Sequence, residues 1–286
     1  MNIDGFRITD WLSRIFIKNK KQSYVVSICS IVKDETTYLE EWIRYHQKIG
    51  VDHFFLYDNE SKVPVVDTLE KLGLSEYVTV IKIYGRAKQV KAYNDCLKRQ
   101  RNTSQWIAFI DADEFIVPKS TLGDLPAFLK KFEQFGGIGI NWLIFGSGGH
   151  ITKTNRPQLE SFLLRSEVDF HLNNHVKMLV QPKYTQQSKG AHFFTFINGY
   201  YAVNEKYVWI SSHLSDISID EIQLNHYWCR SLEEHHEKVE RGLADTTRRK
   251  RTIDEFFERE RDANKVEDRT ILDILNILDL KSSLVK

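Results

Sequence analysis

The 286-residue sequence has only three cysteines, Cys29, Cys96 and Cys229, and none of them belongs to a Cys-x-x-Cys pair. An odd number of widely separated cysteines argues against a disulfide framework and against a cysteine-ligated zinc site. We therefore expect a protein of a reducing compartment, and the cytoplasm is the simplest choice.

The chain also lacks a long apolar run and a strong excess of charge of one sign. No stretch approaches the roughly 20 apolar residues of a membrane-spanning helix, and no signal-peptide core is visible. The 40 Lys and Arg residues nearly balance the 39 Asp and Glu residues, and the formal net charge is +1. This balance gives no electrostatic signal for nucleic acid, so we predict no nucleic-acid partner.

Residues 1–22 combine bulky apolar side chains with several Arg and Lys residues. A basic amphipathic segment of this kind can lie on an anionic membrane surface. The alternative is a helix docked on the protein's own core, and the two readings are about equally favoured. We keep a peripheral membrane contact at the inner face of the plasma membrane as one expectation.

Strand and helix signals alternate through the first half of the chain. Tyr24–Val32 predicts a buried strand, and the next segment predicts a helix that begins with Thr37 and Glu40 as a capping box. Strands are predicted over 53–57, 78–83 and 106–110, and helices over 65–72 and 87–101. Such alternation indicates an α/β fold with parallel strands and helices on both faces of the sheet.

The second half is less regular. It predicts strands over 138–145, 176–180 and 200–203, a charged helical region over 231–263 and a last helix over 271–280. We divide the chain into the basic segment 1–22, one domain over 23–262 and a C-terminal helix over 263–286. Within that domain, residues 23–118 form the nucleotide-binding half and residues 119–262 the acceptor half.

Polar residues follow several of the predicted strands. Ligands of parallel α/β sheets bind beyond the carboxyl ends of the strands, so these residues should meet in one crevice. They are Lys33-Asp34-Glu35, Asp58-Asn59, Gly85-Arg86 and Asp111-Ala112-Asp113.

The pair Asp111 and Asp113 directly follows the apolar strand residues Ile107–Ile110. Where a strand ends and the chain bends, two carboxylates at i and i+2 can reach one cation. Mg²⁺ and Mn²⁺ prefer such oxygen ligands and keep positions open for phosphate. The pair therefore predicts a divalent cation held against a diphosphate leaving group.

Three polar residues later in the chain could complete this site. A neutral imidazole at His226 is a competent third ligand, although a lone histidine is more often structural. Lys238 and Arg241 lie one helical turn apart and could clamp phosphates, or form a solvated face. For the basic run 248–251 an exposed helix face is favoured over binding of lipid phosphate or an acidic acceptor.

The catalytic base is open among several candidates. His150 ends the glycine-rich loop 146–150, whose flexibility suits closure over a sugar, and Asp169 follows in the next polar loop. Glu160 and Glu167 compete with them.

Taken together, these segments resemble the family 92 glycosyltransferases and their family 2-like relatives. The resemblance covers about residues 24–245, and it rests on six blocks in order. They are Ser30–Glu35 with Leu39–Trp42, Tyr57–Ser61, Gln89 with Tyr93–Leu97, Asp111–Phe115, Asn141–Ser147 with Val176-Lys177, and Asn225–Trp228 with Lys238 and Arg241-Gly242.

The resemblance implies a GT-A fold with a Rossmann-like mixed central sheet. It implies an inverting transferase that uses Mn²⁺ or Mg²⁺ to move a hexose, best galactose, from a UDP-sugar donor to a glycan or glycolipid acceptor. Cell-surface polysaccharide or lipopolysaccharide synthesis is the expected setting. Eukaryotic members carry an N-terminal membrane anchor where this chain has only the basic segment, so we expect a bacterial cytoplasmic enzyme.

The resemblance also implies which residues act. The expected metal ligands are Asp111, Asp113 and His226. The expected donor-binding residues are Ile31, Lys33, Glu35, Asp58, Arg86, Gln89, Asn94, Asp111, Ala112, Lys238 and Arg241.

Two other functions compete with glycosyl transfer. A phosphatase of the haloacid dehalogenase type also places Asp-x-Asp after an apolar strand, with the first Asp as nucleophile. Such enzymes have Gly and Thr after the motif, where this chain has Glu114-Phe115. The other alternative is a non-catalytic sugar-binding protein on the same fold.

Overall fold

The computed structural model describes residues 23–284, so the predicted basic segment 1–22 lies outside the described residues. The helices are α1 (Leu39–Lys48), α2 (Val65–Leu72), α3 (Gln89–Gln100), α4 (Leu125–Lys130), α5 (Gln158–Ser161), α6 (Leu232–Arg241), α7 (Asp254–Ala263) and α8 (Thr270–Leu284). Short 3₁₀ turns cover Ser75–Tyr77, His171–Asn174 and Pro182–Tyr184.

The strands are β1 (Tyr24–Val32), β2 (His53–Asp58), β3 (Val78–Lys82), β4 (Ser104–Phe109), β5 (Glu114–Pro118), β6 (Gly137–Ile144), β7 (Leu164–Arg165), β8 (Val176–Val180), β9 (Thr185–Ser188), β10 (Phe194–Phe196), β11 (Ala202–Val203), β12 (Trp209–Ile210), β13 (Ile222–His226) and β14 (Val266–Glu267). Most predicted strands and helices are therefore confirmed to within a few residues. The paired strands β5 and β13, which the sequence did not predict, are additions.

A ten-stranded mixed sheet organises the described region. Its main path runs β12-β11-β6-β8-β4-β1-β2-β3, and β13 pairs with both β5 and β6. The neighbours β4, β1, β2 and β3 are parallel, as predicted. Strand β8 is antiparallel to both β4 and β6, and this makes the sheet mixed.

The two faces of the sheet bury separate cores. Along β1, Val26 and Ile28 belong to one core with residues of α1, α2, α4 and α8. Cys29 and Ile31 belong to the other core, with residues of α3. Because successive strand residues point to opposite faces, near-continuous apolar strands are needed where helices cover both faces. The predicted α/β class with helices on both faces is confirmed.

Two local predictions are wrong. Helix α1 has Tyr38 at its N-cap with no side-chain capping bond, so the Thr37–Glu40 capping box does not form. The region 231–263 is not one helical stretch, because the chain leaves α6 at Gly242 and the next helix starts at Asp254. The basic run 248–251 therefore lies in a loop and not on an exposed helix face.

Candidate active site

A cleft of about 1070 Å³ opens at the carboxyl ends of the parallel strands. All the predicted strand-end residues except Asp58 line it. They are Lys33, Asp34, Glu35, Asn59, Gly85, Arg86, Asp111, Ala112 and Asp113. The topology thus brings together residues that are up to 80 positions apart in the chain, as parallel strands predict.

A tight turn between β4 and β5 presents the acidic pair to this cleft. The backbone N–H of Glu114 donates to the carbonyl oxygen of Asp111 at 3.1 Å, so the chain reverses within three residues. The N–H of Tyr227 donates to the Asp113 carbonyl oxygen at 2.9 Å, which ties the turn to the end of β13. This bend allows two carboxylates at i and i+2 to face the same cleft.

The side chain of Asp111 is already paired. Lys177 donates to its Oδ2 at 2.7 Å, and Gln89 donates to its Oδ1 at 2.9 Å. Burial lowers the pKa of the fully buried Lys177, but Asp111 and Glu114 outweigh burial and raise that pKa above its usual value. Lys177 therefore remains a cation inside the protein, next to the Asp111 carboxyl group.

Asp113 faces Lys238 and His226. Lys238 donates to Asp113 Oδ2 at 2.6 Å and to the Trp228 carbonyl oxygen at 2.9 Å. Burial raises the pKa of Asp113, but the charges of Lys238 and Arg230 outweigh burial and hold that pKa well below its usual range. Burial lowers the pKa of Lys238 to about 8, although the negative charge of Asp113 acts to raise that pKa.

The chemistry of Asp113 and His226 fits a divalent cation. Burial lowers the pKa of His226 well below its usual value, so the imidazole is neutral. Its Nε2 lies 3.6 Å from Asp113 Oδ1, and its buried Nδ1 has no hydrogen-bond partner among residues 23–284. A neutral imidazole and a carboxylate oxygen that face each other are ligands Mn²⁺ accepts.

Asp111 fits the cation less directly. Its two oxygens bond Lys177 and Gln89. In the part of the chain that the structure describes, no three His, Cys, Asp or Glu side chains are arranged to hold a metal ion. A cation that binds both carboxylates would therefore have to displace one of the bonds to Asp111.

Glu35 joins the end of β1 to two arginines of the later chain. Arg230 donates to its Oε2 at 2.8 Å, and Arg241 pairs with its Oε1 at 2.6 Å. Burial raises the pKa of Glu35, but the two guanidinium groups outweigh burial and lower it to about 2. Arg241 also donates to the Lys33 carbonyl oxygen at 2.6 Å, so α6 is fixed against the loop after β1.

Cationic side chains from α6, α7 and the loop between them cover one part of the cleft. We call them the basic wall: Lys238, Arg241, Arg249, Arg251 and Arg259. The Arg259 guanidinium lies 3.6 Å from the centroid of the Trp228 ring, and Arg251 lies 5.3 Å from it. The buried Nε of Arg251 has no hydrogen-bond partner within residues 23–284. This surface can bind the two phosphates of a nucleotide.

Two of the predicted donor-binding residues, Asp58 and Asn94, make structural contacts and do not line the cleft. Asp58 accepts the backbone N–H groups of Ser61 at 3.0 Å and Val65 at 3.3 Å, so it shapes the start of α2. Asn94 exchanges hydrogen bonds with the backbone of Ser188 at 2.8 and 3.2 Å. Ile31 lines the cleft beside Lys33, as expected from β1.

The two candidate bases lie apart from this cleft. His150 packs edge-on against Phe162 and does not line the cleft. Its loop is held by α7, because Ser147 bonds Glu260 through both its N–H and its hydroxyl at 2.6 Å. Asp169 lies in a separate depression with Trp209 and Leu214.

The sequence predicts no site role for Arg230, Lys177 and Arg259, and for the run that contains Arg251 it favours an exposed helix face. Arg230 and Lys177 are buried at the acidic turn, and Arg251 and Arg259 belong to the basic wall. The sequence does contain a pattern that could have identified Lys177. This lysine is the single charged residue of the otherwise apolar strand β8, Val176–Val180. A buried lysine in such a strand requires a carboxylate partner.

The family model for glycosyltransferase family 92 matches residues 22–271. The chain belongs to glycosyltransferase family 92. This membership and the observed sheet confirm the predicted family and the predicted GT-A fold class.

Similar proteins match shorter stretches of this family 92 chain. A glycosyltransferase family 92 protein of Oryza sativa subsp. japonica is 31% identical over 98 residues, which are 34% of this chain and 17% of the rice protein. The galactan beta-1,4-galactosyltransferase GALS2 of Arabidopsis thaliana is 34% identical over 112 residues, which are 34% of this chain and 21% of that protein. The chain thus spans about a fifth of the length of these curated relatives.

Among solved structures, residues 1–349 of S. aureus TarS give a TM-score of 0.35 at 17% identity, over 55% of this chain and 47% of that one. Within residues 23–284, no helix has both the length and the apolar character needed to cross a bilayer.

Proposed function

We propose that this chain is a metal-dependent hexosyltransferase that moves galactose from a UDP-sugar to a hydroxyl of a glycan or glycolipid acceptor. The observation that carries the proposal is the meeting of Asp111, Asp113 and His226 with a basic wall in one cleft. Galactose is favoured because two relatives are named galactan beta-1,4-galactosyltransferases. We place the reaction in cell-surface polysaccharide or lipopolysaccharide synthesis, in the cytoplasm at the inner membrane face.

The donor would lie along the carboxyl ends of β1, β3 and β4. The loop after β1, with Ile31, Lys33 and Glu35, would receive the base and ribose, while Arg86 and Gln89 line the adjoining part of the cleft. Lys238 and Arg241 would receive the diphosphate, and the rest of the basic wall would add charge. Arg230 positions this surface by holding Glu35.

The residues Asp111, Asp113 and His226 would hold Mn²⁺ or Mg²⁺. A bound cation would offset the charge of the diphosphate as it leaves. Lys238 and Arg241 stabilise the same developing charge from the protein side. The acceptor hydroxyl attacks the anomeric carbon from the face opposite the leaving group, which inverts the configuration.

Family membership favours glycosyl transfer over the phosphatase alternative. In a phosphatase of that type the first Asp attacks phosphorus, but both oxygens of Asp111 accept hydrogen bonds here. A non-catalytic sugar-binding role predicts donor binding without UDP release, so one assay separates these functions.

Asp113→Asn tests the proposal. We expect UDP to raise the melting temperature of the wild-type protein only when Mn²⁺ is present, since a ligand of the folded state stabilises that state. Asp113→Asn should lose this dependence, and UDP release from UDP-galactose should fall by about 100-fold or more, because Lewis-acid stabilisation contributes several kcal/mol.

Asp220→Asn is the matched control, because Asp220 forms an exposed ion pair with Lys206. It should keep the wild-type rate and melting shift. Equal activity of Asp113→Asn and wild type would refute the metal role, and UDP-galactose binding without UDP release in wild type would support a sugar-binding protein.

A further inference from the structure

Part of the cleft lining carries no formal charge and differs from the basic wall. We call it the histidine wall, and it consists of Trp142, Leu172, His175, Ala191, His192 and His213. Aromatic rings and neutral hydrogen-bonding nitrogens suit an uncharged sugar better than a diphosphate. None of these six residues was a candidate in the sequence.

Backbone contacts fix the protonation pattern of two of these histidines. Nδ1 of His192 lies 2.9 Å from the Val176 carbonyl oxygen, and Nδ1 of His175 lies 3.1 Å from the Leu172 carbonyl oxygen. A carbonyl oxygen only accepts hydrogen bonds, so each Nδ1 carries the proton. In a neutral ring, Nε2 then has a free lone pair, and in the described region neither Nε2 has a hydrogen-bond partner.

Both rings are neutral near pH 7. Burial lowers the pKa of His192 well below its usual value, and the neighbouring Lys177 lowers it further. Burial also lowers the pKa of His175. Besides burial, the groups that influence the pKa of His192 are Lys177 and the backbone of Val176 from β8, together with His175 and His213.

Trp142 holds these rings in place next to the acidic turn. Its ring centroid lies 5.0 Å from that of His175, 5.0 Å from that of His192 and 4.5 Å from that of His226. Its Nε1 donates to Glu114 Oε1 at 2.7 Å. One indole therefore fixes His192 relative to the proposed cation ligand His226.

We propose that the histidine wall is the acceptor subsite and that His192 is the catalytic base. This inference rests on the proposed glycosyl transfer. His192 Nε2 takes the proton of the acceptor hydroxyl as its oxygen bonds to the anomeric carbon. The bond from that carbon to the diphosphate oxygen breaks, and its electron pair leaves with UDP.

The two other histidines have different roles in this subsite. His192 is favoured as the base because its Nδ1 bonds the carbonyl oxygen of Val176, and the next residue, Lys177, bonds Asp111 at the donor end of the cleft. His175 and the exposed His213 contact the acceptor sugar through hydrogen bonds. Trp142 is a positioning residue, because it acts through the rings around it.

His192→Asn is the first test, because the Asn amide can keep the hydrogen bond to the Val176 carbonyl oxygen. The measured reactions are UDP release from UDP-galactose with Mn²⁺ and transfer to a short β-1,4-linked galactan oligosaccharide. We expect both rates to fall about 100-fold or more, as for loss of a general base. The affinity for UDP with Mn²⁺ should stay at the wild-type value.

His171→Asn is the matched control, since His171 is exposed and does not line the cleft. It should keep the wild-type rates. Added imidazole should restore part of the UDP release by His192→Ala. Wild-type rates in His192→Asn, or no imidazole rescue of folded His192→Ala, would overturn the inference.

If neither His192 variant folds, the wild-type pH profile decides, and a rate of UDP release that does not fall at acidic pH overturns the inference. Failure of the proposed function has a different signature. In that case the wild-type protein itself does not release UDP from UDP-galactose.

Discussion

At the residue scale, the site depends on charges that are buried in pairs. Glu35 is 9% exposed and Arg230 4% exposed, and their side chains are joined at 2.8 Å. Removing one partner of such a pair leaves the other charge in a poorly solvated environment. Glu35 therefore holds two cations of the proposed donor site in position.

Glu35→Gln should lower the free energy of unfolding by about 3 to 5 kcal/mol, because Arg230 and Arg241 lose their buried counter-charge. Denaturant unfolding measures this loss. The control is Glu40→Gln, which breaks an exposed ion pair with Arg44 and should cost less than about 1 kcal/mol. Equal losses in the two variants would show that Glu35 is not a buried structural charge.

At the element scale, helix α6 carries two residues of the basic wall from a well-defined start. Ser231 is its N-cap, and a capping box joins Ser231 to Glu234: the Ser231 hydroxyl bonds Glu234 Oε2 at 2.6 Å. This box fixes where the helix begins, and so it fixes the turns on which Lys238 and Arg241 lie. The box that the sequence suggested for α1 is absent, while this one forms.

Ser231→Ala should lower the free energy of unfolding by about 1 kcal/mol through loss of the cap. It should also weaken binding of UDP with Mn²⁺, because the last turns of α6 carry Lys238 and Arg241. Calorimetric titration with UDP measures that second effect.

Asp124→Ala is the control, because Asp124 caps α4 through the N–H of Ala127 at 2.9 Å and lies outside the cleft. It should cost similar stability and leave UDP affinity unchanged. If both variants bind UDP equally well, the cap of α6 has no part in the site.

At the scale of the whole molecule, one sheet with two buried faces places helix α1 against the site. His46 of α1 is fully buried, with Nδ1 donating to the Trp42 carbonyl oxygen at 2.8 Å. Its Nε2 accepts the N–H of Ile116 in β5 at 3.4 Å. Burial lowers its pKa to about 3, although the Trp42 bond opposes that effect.

Stability should fall in mild acid, and His46 is one of the buried histidines that cause the fall. The unfolded chain protonates this histidine near pH 6.5, and the folded protein protonates it only near pH 3. The stabilising contribution is thus complete above about pH 6.5 and is lost progressively as pH falls toward 3, by about 1 kcal/mol per pH unit.

Denaturant unfolding between about pH 6.5 and pH 5 measures this slope. His46→Gln should make this slope shallower, whereas His236→Gln, at an exposed position, should leave it unchanged. Unchanged slopes in both variants would mean that other groups cause the acid sensitivity.

Patterns in the amino-acid sequence were sufficient to predict the family, the α/β class and the acidic turn. The buried strand before Asp111 ends where the chain must bend, and near-continuous apolar strands require a sheet covered on both faces. These are local or repetitive signals, so the order of residues was enough to predict them. The expected domain boundaries and the membrane segment 1–22 stay predictions.

Which later residues share the cleft with Asp111 and Asp113 depends on the three-dimensional packing of the chain. Arg230, Arg259 and His192 reach the cleft from the segment after β13, from α7 and from a loop, and β13 is itself placed by pairing with the distant strands β5 and β6. No local period encodes such pairing. The same packing keeps His150 and Asp169 away from the cleft. It also groups histidine rings around Trp142, because packing decides which side chains meet.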